Sequence, residues 1–218
     1  MPGVAPVIRL VVSERYEVPP ERLGRWLDRW AEAHGGVAVV ARDGDGLVLT
    51  GGDGAALGVE PPFAPVADPS VAGLLAHVEM ERRVGVLLVR LGAHAAGVFE
   101  GARLVASKVD RRLVHARHRK GGSSSGRFAR RRENEATESL RAAAEVAARV
   151  LVGEAEAGRL DAVVLGGDRR ALERVMEDRW LEPLRGLVVD RVIEVPEPRL
   201  EVLRGTPELF LATVLRVG

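Results

Sequence analysis

Arg117-His-Arg-Lys-Gly-Gly-Ser-Ser-Ser-Gly-Arg-Phe-Ala-Arg-Arg-Arg132 joins a glycine and serine loop to the start of a long helical pattern, with positive charge on both sides. From Lys108 to Arg132 there are ten Lys or Arg residues and one acid, Asp110. The rest of the chain has 22 basic and 30 acidic residues, so the formal net charge of +1 hides a strong separation. A pliable loop on a basic stalk suits a polyanionic site, and RNA is the first candidate. Arg127, Arg130 and Arg131 fall at i, i+3 and i+4, where like charges repel unless an anion lies between them. With Arg117, Arg119, Lys120 and Arg132 they form the expected RNA-binding set. Gly121 and Gly126 have the spacing of half a phosphate-binding P-loop. Arg127 and Phe128 then stand where Lys and Ser/Thr are required, which argues against nucleotide hydrolysis.

Working outward, the loop sits inside an α/β pattern. Val84-Gly-Val-Leu-Leu-Val-Arg90 is an apolar run of strand length, and Ala96–Glu100 with Arg103–Lys108 reads as a hairpin around Gly101. Arg112–His115 extends the sheet in this reading. The long helix is expected over 127–152, with Gly153 as its stop. Leu160–Leu165 reads as a buried strand and Asp168 as the N-cap of a helix over 169–178. Gly186–Ile193 and Leu209–Val217 are the last expected strands. Strands interleaved with helices predict an α/β mixed sheet over residues 81–218.

Residues 1–80 predict a small α+β unit. Pro6–Val12 reads as a strand, and Pro19-Pro20-Glu21 opens a helix. Leu23, Trp26, Leu27 and Trp30 lie on one apolar face of that helix, so both tryptophans are expected in the core. Val37–Ala41 and Gly46–Thr50 flank the turn Asp43-Gly44-Asp45-Gly46. Gly51–Pro65, rich in Gly and Pro, reads as a linker or loop, and a short helix is expected over 70–79.

Composition narrows the chemistry. The chain has no cysteine, which excludes disulfides, thiolate metal sites and a cysteine nucleophile, and fits a reducing cytoplasm. His115 and His118 lack nearby carboxylates, so no metal is expected. Ser123, Ser124 and Ser125 have no His/Asp partners in sequence to make a serine nucleophile. No apolar run is long enough for a membrane span, and no signal pattern opens the chain. No cofactor is expected.

The order of these elements resembles the middle domain of eukaryotic and archaeal class-1 peptide release factors. Val84–Arg90, the hairpin, the basic Gly-Gly loop, Arg127-Phe128-Ala129-Arg130, the long helix and Ala162-Val-Val-Leu-Gly-Gly167 carry the likeness. The form Arg-Phe-Ala-Arg-Arg-Arg-Glu-Asn is most similar to the actinobacterial Vms-type release-factor-like family, regarded as peptidyl-tRNA hydrolases of ribosome rescue. The resemblance implies entry into the ribosomal peptidyl-transferase centre, with ribosome (rRNA) and peptidyl-tRNA as partners. It implies a catalytic loop of Gly121, Gly122, Ser123, Ser124 and Ser125, whose backbone approaches the peptide–tRNA ester and whose N–H groups meet the oxyanion. In release factors a glutamine follows the glycine pair, where Ser123 stands; in the Vms-type relatives it maps to Ser124 or Ser125. The chain contains no glutamine at all. Three readings follow: serine and backbone orient the water, the loop binds without hydrolysing, or the loop was altered from a Gln-containing one. A non-catalytic RNA- or ribosome-binding factor is therefore the alternative to a hydrolase. A small-molecule enzyme is a third possibility and requires a closed pocket with convergent polar groups beside the loop.

Overall fold

The structure is a computed structural model that describes residues 14–90, 92–111 and 125–218, with side chains of the last segment from 134 onward. The expected strands Pro6–Val12 and Arg112–His115 lie outside the described residues. The chain divides into two compact units. One comprises the described residues up to Met80 together with Glu208–Gly218, and the other is Glu81–Pro207.

The first unit is an antiparallel sheet with two helices. It opens with β1 (Glu14–Val18) and α1 (Pro20–Ala33). The hairpin β2 (Val37–Asp43) and β3 (Gly46–Gly51) follows, then β4 (Ala56–Glu60) and α2 (Val71–Glu79). α1 begins with Pro at its first turn and buries Leu23, Leu27 and Trp30. Trp30 is a core residue, and Trp26 packs against the same core with its ring 5.7 Å from Tyr16. Both tryptophans therefore do the packing work expected of the apolar stripe. Ser70 caps α2 by accepting the amide of Gly73 at 2.9 Å.

Two expectations for this region are corrected. Gly51–Pro65 is not a linker, since it contains β4, whose Leu57 and Val59 alternate into the core. Gly and Pro surround a five-residue strand there and mask its period of two. The strand expected at 209–217 as the last of the second sheet is shorter and belongs here. Thr213–Val217 (β10, the last strand of the chain) lies between β1 and β4 in the order β1-β10-β4-β3-β2. Leu215 faces Tyr16 on one side and Val59 on the other.

The second unit is a mixed sheet in the order β7-β6-β5-β8-β9. β5 (Arg83–Arg90), β6 (Ala93–Glu100) and β7 (Arg103–Arg111) form an antiparallel meander. β8 (Ala162–Gly167) runs parallel to β5, and β9 (Val188–Ile193) runs parallel to β8. Every residue of β5 from Val84 to Val89 is buried, as a strand covered on both faces requires. One face carries Leu87, Val89, Ala96, Val98, Val163 and Leu165 against the helices. The other meets Leu203: a Cβ on Gly97 would stand 3.1 Å from that side chain, so α7 (below) sits directly on the glycine. The mixed α/β class is the one the sequence predicts.

The helical connection from β7 to β8 runs further than expected. α3 (Ser125–Ala147) passes through a π-helical turn at Ala148–Val152 into α4 (Gly153–Glu156). Gly153 does not stop it. The stop is Gly158, at φ +66°, where the amide of Gly158 reaches the Ala155 carbonyl and that of Arg159 reaches Glu154. This is the Schellman closure, in which the left-handed residue favours glycine. After β8, Asp168 caps α5 (Arg169–Met176) by accepting the Ala171 amide at 2.9 Å. A 3₁₀ turn at Arg179–Leu181 and α6 (Glu182–Arg185) lead into β9. α7 (Leu200–Arg204) and α8 (Pro207–Phe210) return the chain toward β10.

One end of this sheet is locked by ion pairs. Arg83 meets both Glu100 and Glu154, Arg103 meets Glu100, and Arg159 binds Glu154 through two hydrogen bonds of 2.9 Å. The Glu154 carboxyl is held at about 2, first by the hydrogen bonds from Arg159 and then by Arg83. A carboxylate lowered in the folded state stabilises it fully above the unfolded value of about 4.5, and that contribution is lost as pH falls toward about 2. The melting temperature is therefore expected to drop between those pH values, and to drop less steeply in Glu154→Gln. Equal slopes for the two proteins, followed by circular dichroism, would remove this assignment.

Candidate nucleic-acid interface

The frame of the basic loop is set by β7 and α3. β7 ends at Arg111, which lies across from Ala93, itself opposite Arg90. These three residues mark one end of the sheet, opposite the ion-paired end. α3 runs back along the sheet from that level. Ser139, fully covered, accepts the amide of Gly92 in the β5–β6 turn at 3.3 Å. Further on, Leu151 packs over Gly85, where a Cβ would come within 3.2 Å of it.

The geometry leaves half of α3 beyond the sheet. Ser139 already stands level with the β5–β6 turn, so residues 125–138 continue outward. At about 1.5 Å per residue the helix start lies about 20 Å along the helix axis from Ser139. Asn134, Thr137 and Glu138 are exposed, in keeping with a helix that has left the core. The N-terminus of this helix also concentrates partial positive charge, which adds to that of the side chains.

The expected site residues fall into two groups. Ser125, Arg127, Arg130, Arg131 and Arg132 lie in the first turns of α3, within the segment that overruns the sheet. Gly121, Gly122, Ser123, Ser124, Arg117, Arg119 and Lys120 lie outside the described residues, as do His115 and His118. What the structure does fix is their attachment: they belong to the stretch between Arg111 at the sheet end and Ser125 at the start of α3.

No group of three or more His, Asp or Glu side chains that could hold a metal occurs among the described residues. No described helix is long and apolar enough to cross a membrane. A groove of about 590 Å³ lies between α5 and β9, lined by Leu165, Leu172, Met176, Val188 and Val192 among others. Arg185 at its rim is spent on closing α5, donating to the carbonyls of Met176 at 3.0 Å and Glu177 at 3.1 Å. This groove lies at the β9 edge of the sheet, the far edge from β7, and its lining also includes Arg169, Glu173 and Glu177.

Residues 82–216 match the model of the Actinobacteria/chloroflexi VLRF1 release factor family. The chain belongs to that family, and its role is translation-related. Among solved structures it is similar to the archaeal translation termination factor aRF1, at 17% identity and a TM-score of 0.46, covering 87% of this chain and 61% of that one. An archaeal protein matches at 14% identity and a TM-score of 0.43, covering 87% and 62%. Pelota of Archaeoglobus fulgidus matches at 11% identity and 0.26, covering 80% and 51%. The chain thus spans about three fifths of the length of the first two. No curated protein matches it by sequence.

Proposed function

We propose that this chain is a ribosome-acting rescue factor of the cytoplasm that hydrolyses peptidyl-tRNA. The observation that supports the reading best is the length of α3 ahead of Ser139, which sets residues 127 and 130–132 about 10–18 Å further along the helix, directly behind the Gly-Gly-Ser loop in sequence. A narrow basic projection can reach a site lined by phosphates, where a compact face cannot. In the reaction, water attacks the carbonyl carbon of the peptide–tRNA ester. The bond to the ribose oxygen breaks and that oxygen takes up a proton. Loop amides at Gly121 and Gly122 stabilise the oxyanion, and a hydroxyl of Ser123, Ser124 or Ser125 orients the water. No metal or cofactor is part of this scheme.

The absence of glutamine supports a second reading, in which the protein binds the ribosome without catalysis. One assay separates the two. Stalled 70S complexes carrying labelled peptidyl-tRNA are mixed with stoichiometric protein and the freed peptide is measured. Release by the wild type is the expected result, reduced tenfold or more when Gly121 and Gly122 become alanine, by loss of close backbone approach. No release by the wild type, with activity gained in a Ser123→Gln, Ser124→Gln or Ser125→Gln variant, would sink native hydrolysis and leave the binding reading.

A further inference from the structure

The two ends of the second unit's sheet treat their arginines in opposite ways. At the end away from the loop, Arg83, Arg103 and Arg159 are each ion-paired, sharing Glu100 and Glu154. At the loop end, Arg90, Arg169 and Arg170 are exposed, and among the described residues none of them is in an ion pair. Arg111 beside them is different, since it pairs with Glu197 at 3.2 Å. Asp168 is the nearest acid in sequence, and its carboxylate is committed to capping α5.

The backbone brings these three residues together although Arg90 and Arg169 are far apart in the chain. Val89 is paired with Gly167 in the parallel ladder, and the Asp168 amide donates to the Val89 carbonyl at 2.9 Å. Gly167 sits at φ +109°, and a Cβ there would come within 2.2 Å of that carbonyl oxygen. Only glycine permits the contact, and it lets α5 start hard against the end of β5. The same Cβ position is 3.3 Å from Cγ of Arg90, so the arginine stem lies along this junction. Arg169 and Arg170 then open α5 next to it.

We infer that Arg90, Arg169 and Arg170 form a second phosphate-binding patch for RNA, at the base of the α3 projection and about 20 Å behind its start. This inference rests on the ribosome-directed reading above and extends it to a separate surface. Unpaired guanidiniums bind phosphate oxygens bidentately and release counterions when they do. An RNA contacted both at the tip and at the base is held in orientation, which a contact at the tip alone does not achieve. The phosphates belong either to rRNA or to the tRNA, and the two sources are separable.

The test measures binding of the full chain to vacant 70S ribosomes and, separately, to deacylated tRNA, across a series of salt concentrations. Three proteins are compared: wild type, the triple variant Arg90→Ala/Arg169→Ala/Arg170→Ala, and the loop variant Arg117→Ala/Arg119→Ala/Lys120→Ala. Each cation on a phosphate contributes about one unit to the slope of log affinity against log salt, so the first triple variant is expected to lose about two to three units. Loss on ribosomes alone assigns the patch to rRNA, and loss on tRNA assigns it to tRNA. Wild-type slopes in both arms for this variant, with binding weakened in the loop variant, would overturn the patch and leave the ribosome reading intact. A wild type that binds neither probe would sink both. All three arginines are exposed, so the fold should survive; the single variant Arg170→Gln, expected to lose about one unit, repeats the test with minimal disturbance.

Discussion

Changing Arg117, Arg119, Lys120, Arg127, Arg130, Arg131 and Arg132 together to alanine is expected to abolish most of the salt-dependent binding to 70S ribosomes. Seven phosphate contacts, at roughly 0.7–0.9 each, correspond to a slope of about −5 to −6 in log affinity against log salt. Over a fourfold rise in salt such a slope weakens binding by about a thousandfold or more, and the variant is expected to keep only the slope of about −2 to −3 assigned to Arg90, Arg169 and Arg170. The effect is large because these charges are concentrated rather than balanced. Three of them share i, i+3 and i+4 spacing in α3, which disfavours the free helix and is relieved by an anion. Alanine has the higher helix propensity, so the variant should not lose α3. Sedimentation with ribosomes at several salt concentrations measures the slope, and an unchanged value would show that the cluster does not touch phosphate.

The second large effect is on stability. Among the described residues Phe99 is the largest fully buried side chain. It lies near the end of β6, next to the register shift between Val98 and Phe99 in the β6–β7 ladder. Phe99→Ala is expected to destabilise the second unit by about 3–5 kcal/mol, through lost transfer energy and the cavity left behind. Urea denaturation should show a lower midpoint with an unchanged slope. A change below about 1 kcal/mol would mean that the sheet and α7 close over the vacated space.

The parts of this fold legible in the sequence are those written in local periodicity. The apolar stripe of α1, the run of β5, the Asp168 cap and the Ser70–Glu79 helix all declare themselves within a dozen residues. β4 was hidden because Gly51–Gly54 and Pro61–Pro62 flank only two inward residues, Leu57 and Val59. The end of the crossover helix was hidden because Gly153 tolerates helical backbone, whereas Gly158 adopts the left-handed conformation that closes it. The partner of β10 could not be read at all. Its apolar pattern fits either sheet, and the choice is made by pairing with β1 and β4 across most of the chain.

The candidate site divides in the same way. The basic loop and the start of α3 are contiguous and stood out as charge. Arg90, Arg169 and Arg170 come from two segments joined by a parallel pairing and a glycine junction. Each alone looks like an ordinary surface arginine. A signal existed only in the pair Gly166-Gly167 before Asp168, which announces a tight strand-to-helix turn without saying which strand it meets.

The place of β10 between β1 and β4 governs how the protein comes into being. β10 is synthesised after the whole of the second unit, yet it is the strand on which β1 and β4 both pair. Until it emerges, β1 has no neighbour and β4 has one open edge. The second unit, complete at Pro207, is free to fold while the first waits as a hairpin meander with its helices. Assembly therefore proceeds from the inserted body outward, and β1 is among the last of the described strands to find its place.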